Sequence, residues 1–389
     1  MHHLHDVIIV GAGPAGLMAA RQLAQRGHDV VVLEEHPGIG VPTHCTGLLG
    51  LEAFSELDLP RHTILDTTSA ARFVAPDGSS VTVDADRVNA AIVDRARFDQ
   101  SLAAASRDAG ADLRSNARVR TITVSDEGVT VAADGGGTIT ARACILACGA
   151  NYRFNRQLGL GVPRTFVQSA QLERSFAGPE QVEVHLGRSV APRGFAWVVP
   201  FRRDGQPYQR LGLMADARAG SLFRAFAGTL RKRFGVAGAD WPEPRLKILP
   251  LGPVPRTYGQ RLLAVGDAAG LVKPTTGGGI YYSLICGQFA ADTLDEALRS
   301  DDLRVSRLRE YETRWRDRLG AEIRIGLAFR LLAARLTDRG IDSLVELARI
   351  DGIIPLLRQT ADFNWHRQSA LALLRHSQFR RILLSSLWS

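Results

Sequence analysis

The stretch from Asp6 to Glu35, DVIIVGAGPAGLMAARQLAQRGHDVVVLEE, constrains the fold more than any other part of the chain. Val7 to Val10 is a short β-branched run suited to a strand covered on both faces, and Gly11, Gly13 and Gly16 follow it in the spacing G-x-G-x-x-G. Each glycine has a task. Gly11 permits the sharp turn out of the strand, Gly13 lets the backbone approach a pyrophosphate, and Gly16 lets the next helix pack close to the sheet. The helix opening at Pro14 and Ala15 then presents its first amides and the positive end of its dipole to those phosphates. A second strand, Val30 to Leu33, ends at Glu34 and Glu35, about twenty residues beyond the turn, where a carboxylate accepts the hydroxyls of an adenosine ribose. An unmodified ribose is favoured there over a 2′-phosphate.

At 389 residues with 45% apolar content, the chain is longer than one ordinary domain and can bury a substantial core. Two interleaved domains and a tail are expected. The net charge of +8 comes almost wholly from arginine and suits an anionic cofactor or lipid surface. No motif that reads DNA or RNA accompanies it, so nucleic acid is not an expected partner. Four cysteines, 45, 144, 148 and 286, are too few for a disulfide framework and point to a reducing cytoplasm. Cys144 and Cys148, four apart on one strand, would lie roughly 13 Å apart at about 3.3 Å per residue and read as core thiols. No signal peptide fits ahead of the first strand, and no apolar run approaches the roughly 20 residues that span a bilayer. The expectation is a soluble or membrane-surface protein. His2, His3 and His5 read as a frayed terminus, and no metal site is expected.

After Glu35 the stretch HPGIGVPTHCTGLLG is too irregular for a crossover helix, so the chain departs from a plain NAD-binding domain. Cys45 sits in it, in surroundings read as mobile, with an exposed thiol open to a neighbouring cation. Ser69 to Val83 reads as a hairpin of a second sheet, turning at Pro76-Asp77-Gly78. Asp86 to Ala109 has apolar residues at helical spacing, with Arg95 and Arg97 near its head and available to cofactor phosphates. Strands at Ala117 to Val124 and Gly128 to Ala133, separated by a turn from the next, lead to ARACILACGA, whose end at Cys148-Gly149 returns the chain to the nucleotide. The turn is Asp134 to Gly137. Val162 to Pro250 reads as a mainly antiparallel sheet with a helical insertion. Within it Phe195, Trp197 and Phe201 share one strand face and either line an apolar substrate cavity or fill a core.

A second glycine-rich stretch, RLLAVGDAAGLVKPTTGGGIYYSLICGQFAADTLDEAL, spans Arg261 to Leu298. A strand stops at Gly266-Asp267, and Thr275 to Gly279 opens a helix near Ile280. This arrangement suits a flavin. Asp267 would hold ribityl hydroxyls, and free amides at Gly278, Gly279 and Ile280 would face the N1 and C2 carbonyl edge, which gains negative charge on reduction.

With GAGPAG and Glu34, PTHCTGLLG, DRARFD, PRGFAWVVP and GDAAGLVKPTTGGGIYY together, the chain resembles the FAD-dependent geranylgeranyl reductase family over about residues 5 to 300. That family belongs to the larger group with the para-hydroxybenzoate hydroxylase fold. The resemblance implies an FAD-binding Rossmann-like α/β domain and an interleaved antiparallel substrate domain, and the residue pattern beyond them adds a C-terminal helical segment. The expected boundaries are 1–68, 86–161 and 255–300 for the FAD-binding parts, 69–85 and 162–254 for the substrate sheet, and 301–389 for the helices. By the same resemblance Gly11, Gly13 and Gly16 cradle the pyrophosphate, Glu34 binds the ribose, Arg95 lies beside the cofactor and Asp267 binds the ribityl chain. Gly278 and Gly279 border the ring, Cys45 lies near it, and Phe195 with Trp197 walls a prenyl cavity. The chain departs from the family pattern at Cys148-Gly149, where Asp-Gly is frequent, and at Cys45-Thr46-Gly47, where Cys-Gly-Gly is common.

The expected activity is reduction of prenyl carbon-carbon double bonds by hydride from reduced FAD, with NAD(P)H or a ferredoxin as electron donor and Cys45 close to the chemistry. An FAD-dependent monooxygenase and a non-catalytic prenyl-lipid carrier are the alternatives on the same fold. The arginine-rich amphipathic helices beyond Arg304 either rest on an anionic membrane surface or pack on the catalytic domain.

Overall fold

The computed structural model describes residues 3–84, 89–135, 137–236, 241–350 and 352–386. His2, the start of the helix expected from Asp86, and Gly136 of the expected turn lie outside them. In chain order the elements run β1 (Leu4–Val10), α1 (Pro14–Gln25), β2 (Val30–Leu33), β3 (Leu48–Gly50), α2 (Glu52–Glu56), β4 (Ile64–Thr68), β5 (Ala70–Val74), β6 (Ser80–Asp84), β7 (Ala90–Val93) and α3 (Arg95–Asp108). They continue with β8 (Asp112–Arg114), β9 (Val119–Val124), β10 (Val129–Ala133), β11 (Gly137–Leu146), α4 (Arg153–Gln157), β12 (Phe166–Ser175), β13 (Val182–His185), β14 (Phe195–Arg203), β15 (Gln206–Ala215) and α5 (Ala219–Arg233). The last are β16 (Arg245–Pro250), β17 (Tyr258–Gly259), β18 (Leu262–Ala264), α6 (Ile280–Arg299), α7 (Val305–Ala333), α8 (Asp338–Ile350), α9 (Ile353–Thr360), α10 (Arg367–Arg375) and α11 (Ser377–Ser385).

Val7, Ile8 and Ile9 are fully buried because β1 is central to the first sheet, paired in parallel with β2 on one side and β11 on the other. The order is β17-β18-β11-β1-β2-β8, with β9 and β10 attached as an antiparallel arm to β11. Pairing of β11 with both β1 and β18 brings the strand end before Gly266 beside the one before Gly11, although about 250 residues separate them in the chain.

The second sheet has the order β16-β12-β15-β14-β13-β5-β6. The hairpin expected at Ser69 to Val83 is its edge, as β5 and β6, and joins through a parallel pairing of β5 with β13. Strand alternation divides its two faces: Ala196 and Val198 point to α5, while Phe195, Trp197, Val199 and Phe201 belong to the opposite face. In the segment expected to be helical from Asp86, Ala90 to Val93 instead forms β7, in a small sheet β3-β7-β4. A short apolar run fits either period. The helix waits for Asp94, whose side chain accepts from the Arg97 amide and caps α3.

The amino-terminal end is also tied down. His5 lies within β1 and is buried, and His3, His5 and Asp29 approach one another closely, so the frayed-terminus expectation is corrected for these two histidines. At the other end, α8 to α11 turn leucines and isoleucines inward, and Ile353, Ile354 and Leu357 pack against Val81 of β6.

Candidate active site

Two long helices begin with glycine and no side-chain cap: Gly13 precedes α1 and Gly279 precedes α6. Uncapped first-turn amides are the usual receptor for an anionic or carbonyl group. Both ends open on one cavity of about 1240 Å³, which also touches Gly11, Pro14, Ala15, Glu34, Glu35, Cys45, Arg95, Gly149, Asp267, Gly278 and Ile280. Gly16 lies beneath the turn, where a Cβ would collide with the Gly11 carbonyl, and Gly11 itself has φ +107°. Gly13 has open space where a side chain would be, as close approach of a ligand to its backbone requires.

The carboxylate of Glu34 is oriented from two sides. Its Oε2 accepts from the Ala12 amide at 2.9 Å, and its Oε1 accepts from the His36 amide at 3.0 Å and lies 2.6 Å from His36 Nδ1. A lone pair on Oε2 remains for a ribose hydroxyl. Glu35 turns to solvent and pairs with Arg118 at 3.3 Å, so it touches only the rim. Arg95 is aimed inward but committed to Asp99, with contacts of 2.8–3.2 Å to both carboxylate oxygens. Burial works against its charge, and the adjoining Asp99 carboxylate outweighs burial and keeps it protonated. Arg97 is exposed. Asp267 sits beside Gly279, and its Oδ2 lies 3.2 Å from Lys247 Nζ.

The loop carrying Cys45 is pinned, which corrects the mobile surroundings expected for it. Three long side chains of the second sheet each capture a carbonyl: Arg245 binds Thr43 at 2.7 Å, Gln171 binds Cys45 at 2.9 Å and Arg210 binds Thr46 at 2.7 Å. Arg210 is itself buried and paired with Glu173 at 2.8 Å. The Gly47 amide donates to Cys45 Sγ at 3.3 Å, and the Arg95 guanidinium lies within electrostatic reach of the thiol. Of the other cysteines, Cys144 is buried as expected, but Cys148 is past the end of β11, half-buried, and faces the cavity.

Phe195 and Trp197 face the same cavity. Phe201 instead stacks on Tyr208 in the core beneath, with Arg210 over its ring at 4.5 Å. Beyond Trp197 the cavity becomes an apolar sleeve between β5, β6 and β13 and the C-terminal helices, walled by Phe73, Val184, Leu336, Leu344, Val345 and Phe379. On its polar part, His44 Nε2, Asn89 Oδ1, Ser169 Oγ, Gln171 Oε1 and Trp197 Nε1 are buried without a hydrogen-bond partner among the described residues. Buried polar atoms are normally satisfied, so this wall is built for a ligand with donors and acceptors of its own. FAD meets that requirement, and the residues present fit it.

Sequence reasoning missed His44, Ser169, Gln171, Lys247 and Lys273. The strands and loops of the first four were visible, but only the crossing of one sheet over the other turns them toward the glycine loops; Lys273 lies in the second glycine stretch itself, and what was hidden is its burial against Phe363 and Asn364. Burial drives His44 down to about 4, with Lys247 adding to the effect, so it is neutral at pH 7.

Uncapped glycine turns, an oriented acid at the end of β2 and an adjoining apolar sleeve define an FAD-dependent oxidoreductase. Residues 6–338 match the family described as Lycopene cyclase protein. The chain belongs to this family of flavoproteins, and within it to the geranylgeranyl reductases. It is 31% identical to digeranylgeranylglycerophospholipid reductase 2 of Methanopyrus kandleri, covering 91% of this chain and 92% of that one. It is 29% identical to digeranylgeranylglycerophospholipid reductase 1 of Methanococcoides burtonii, covering 88% and 87%. A solved geranylgeranyl bacteriochlorophyll reductase-like protein from Thermoplasma acidophilum shares the fold with a TM-score of 0.84 at 22% identity, over 99% of this chain and 100% of that one. The halogenase PltM in complex with phloroglucinol and FAD has a TM-score of 0.68 at 17% identity, over 98% and 90%.

Proposed function

We infer that the protein saturates carbon-carbon double bonds of a prenyl chain, using electrons carried by bound FAD. The observation that carries this reading is the continuity of a single cavity from the two glycine turns into an apolar sleeve under α8 to α11. Relatives named digeranylgeranylglycerophospholipid reductase support the substrate class.

Gly11, Gly13, Pro14, Ala15 and Gly16 hold the pyrophosphate in this reading, Glu34 the ribose with Glu35 at the rim, and Asp267 the ribityl chain. Arg95 and Gly149 flank the cofactor, and Gly278, Gly279 and Ile280 border its ring. Bound FAD supplies hydride. An isolated alkene is weakly electrophilic, so the chain must exclude water and hold a proton donor beside the second carbon. Phe195, Trp197 and the sleeve exclude water, and Cys45 holds or relays the proton at its Sγ. Residues 1–68, 86–161 and 255–300 form the FAD-binding part, 69–85 and 162–254 the substrate sheet, and 301–389 a helical cover.

The electrons come from NAD(P)H or a ferredoxin. Among the described residues no helix is long and apolar enough to cross a membrane, and the exposed arginines of the helical cover suit an anionic lipid surface from which substrate enters. Sedimentation with anionic and neutral vesicles separates that contact from a free surface.

The function is tested by reducing the FAD-loaded protein anaerobically and offering prenyl diphosphates, prenyl quinones and digeranylgeranyl lipids. The expected outcome is reoxidation of the flavin with a product heavier by two hydrogens per bond. Reoxidation by oxygen alone, with a hydroxylated product, overturns the reading in favour of a monooxygenase.

A further inference from the structure

We propose that the Lys273 ammonium is a fixed cation, built behind the second glycine turn, that favours the reduced, negatively charged form of the flavin. The inference rests on the FAD reading above and assigns a residue that sets the cofactor's potential.

Lys273 is 6% exposed. The Lys273 amide donates to the Gly278 carbonyl at 2.9 Å, and the Gly277 amide donates to the Lys273 carbonyl at 2.8 Å. The chain thus closes on itself, and the lysine side chain folds back against the turn it begins. A Cβ on Gly278 would lie 3.0 Å from Lys273 Cε and 3.6 Å from Nζ. The ammonium therefore stands next to the uncapped amino terminus of α6. Two positive features share one spot, which is electrostatically unfavourable until an anion arrives.

The neighbours answer that charge only from a distance. Nζ donates to the Phe363 carbonyl at 2.8 Å, lies 3.5 Å from Asn364 Oδ1 and stands 4.3 Å over the Phe363 ring. Glu52, Asp362, Cys45 and Glu322 lie within electrostatic reach, but among the described residues none forms an ion pair with it. Glu52 accepts from Asn364 Nδ2 at 2.6 Å, Asp362 from the Asn364 and Trp365 amides at 2.8 and 3.1 Å, and Glu322 from the Arg367 amide at 2.9 Å. His366, which lies 2.5 Å from Thr275 Oγ1, adds no charge, because burial and Lys273 drive it down to about 3. Burial pulls Lys273 itself down to about 8, and it remains protonated at neutral pH.

Two electrons and one proton, from NAD(P)H or from reduced ferredoxin with solvent, leave one negative charge on the reduced ring. With FAD held as proposed, that charge would lie at the ring edge bordered by Gly278 and Gly279, the turn against which the Lys273 side chain is folded. Lys273 and the α6 dipole then act together, and each relieves the other's cost once the charge has arrived.

The test is a spectroelectrochemical titration of bound FAD in the wild type, Lys273→Met, Lys273→Gln and Lys273→Arg. Removing the charge is expected to shift the equilibrium for two-electron reduction about tenfold against reduction, about 30 mV more negative, with Lys273→Arg close to wild type. The ratio of dissociation constants for oxidised and reduced FAD must change by the same factor. If either neutral variant binds FAD with wild-type potential and ratio, the lysine proposal is overturned and the FAD reading stands. Failure of the wild-type protein to bind FAD overturns both.

Discussion

Gly287 of α6 lies directly against the carbonyl of Ala15 in α1, with no room between them for a side chain. Gly266 closes on the same residue, since a Cβ there would lie 3.2 Å from Ala15 Cβ. These contacts hold the two glycine turns at one cleft. Gly287→Val is expected to lower stability by about 1–3 kcal/mol through overpacking and to weaken FAD binding. Thermal unfolding with and without added FAD checks this, and unchanged melting together with unchanged FAD affinity would contradict it.

Gly212 has a related role at the other wall. It pairs with Trp197 and Gln171 across the second sheet, and a Cβ there would collide with the Trp197 indole. Gly212→Ala must therefore displace the indole, and the expected outcome is a prenyl-substrate KM raised about tenfold or more, about 1.4 kcal/mol, with FAD affinity retained. Steady-state kinetics beside an FAD titration separates the two effects.

Cys45 has Sγ contacts to the Gly47 amide and lies near Arg95. In Cys45→Ser, FAD is expected to bind as in wild type while the rate of substrate-dependent reoxidation falls by about 10²-fold or more, the usual scale for loss of a positioned proton carrier. Single-turnover kinetics reads this directly, and the wild-type rate in the variant removes Cys45 from the chemistry.

Acid should weaken the protein already in the range where a free histidine titrates. His44 is held neutral by burial, down to about 4, whereas an unfolded histidine titrates near 6.5. As pH falls from about 6.5 to 4, the unfolded chain binds a proton that the folded protein refuses, so stability falls. The opposite case, Glu183, is drawn down to about 2: burial opposes its charge, but His185 and Arg233 outweigh it, so its contribution is lost only below about 4.5. Denaturant titrations at pH 7.5, 5.5 and 4.5 are expected to show a loss that His44→Gln reduces by up to about 2 kcal/mol. An equal loss in the variant would assign the effect elsewhere.

The Gly13 turn, Glu34 and the Asp267 strand end were legible because each is a local device. A glycine that must adopt positive φ or admit a phosphate, and an acid at a strand end, are fixed by their immediate neighbours. β7 was not legible, because Ala90 to Val93 carries no period of its own and becomes a strand only when β3 and β4 flank it. The order of the Cys45 loop was hidden for a different reason. Its carbonyls are held by Arg245, Gln171 and Arg210, between about 125 and 200 residues away, and nothing in PTHCTGLLG announces those partners.

By itself the sequence determined two nucleotide-type turns, an apolar strand core and a basic helical tail, since short-range sterics and periodicity decide these. Only the tertiary structure decided that both turns share a cleft, that Phe195 and Trp197 face it while Phe201 does not, and that Lys273 is buried against Phe363 and Asn364. The first outcome depends on the parallel pairing of β11 with β1 and β18 and on the packing of α1 against α6, the second on the place of β14 in the second sheet, and the third on the segment around Phe363; each joins residues too distant for any local pattern to relate.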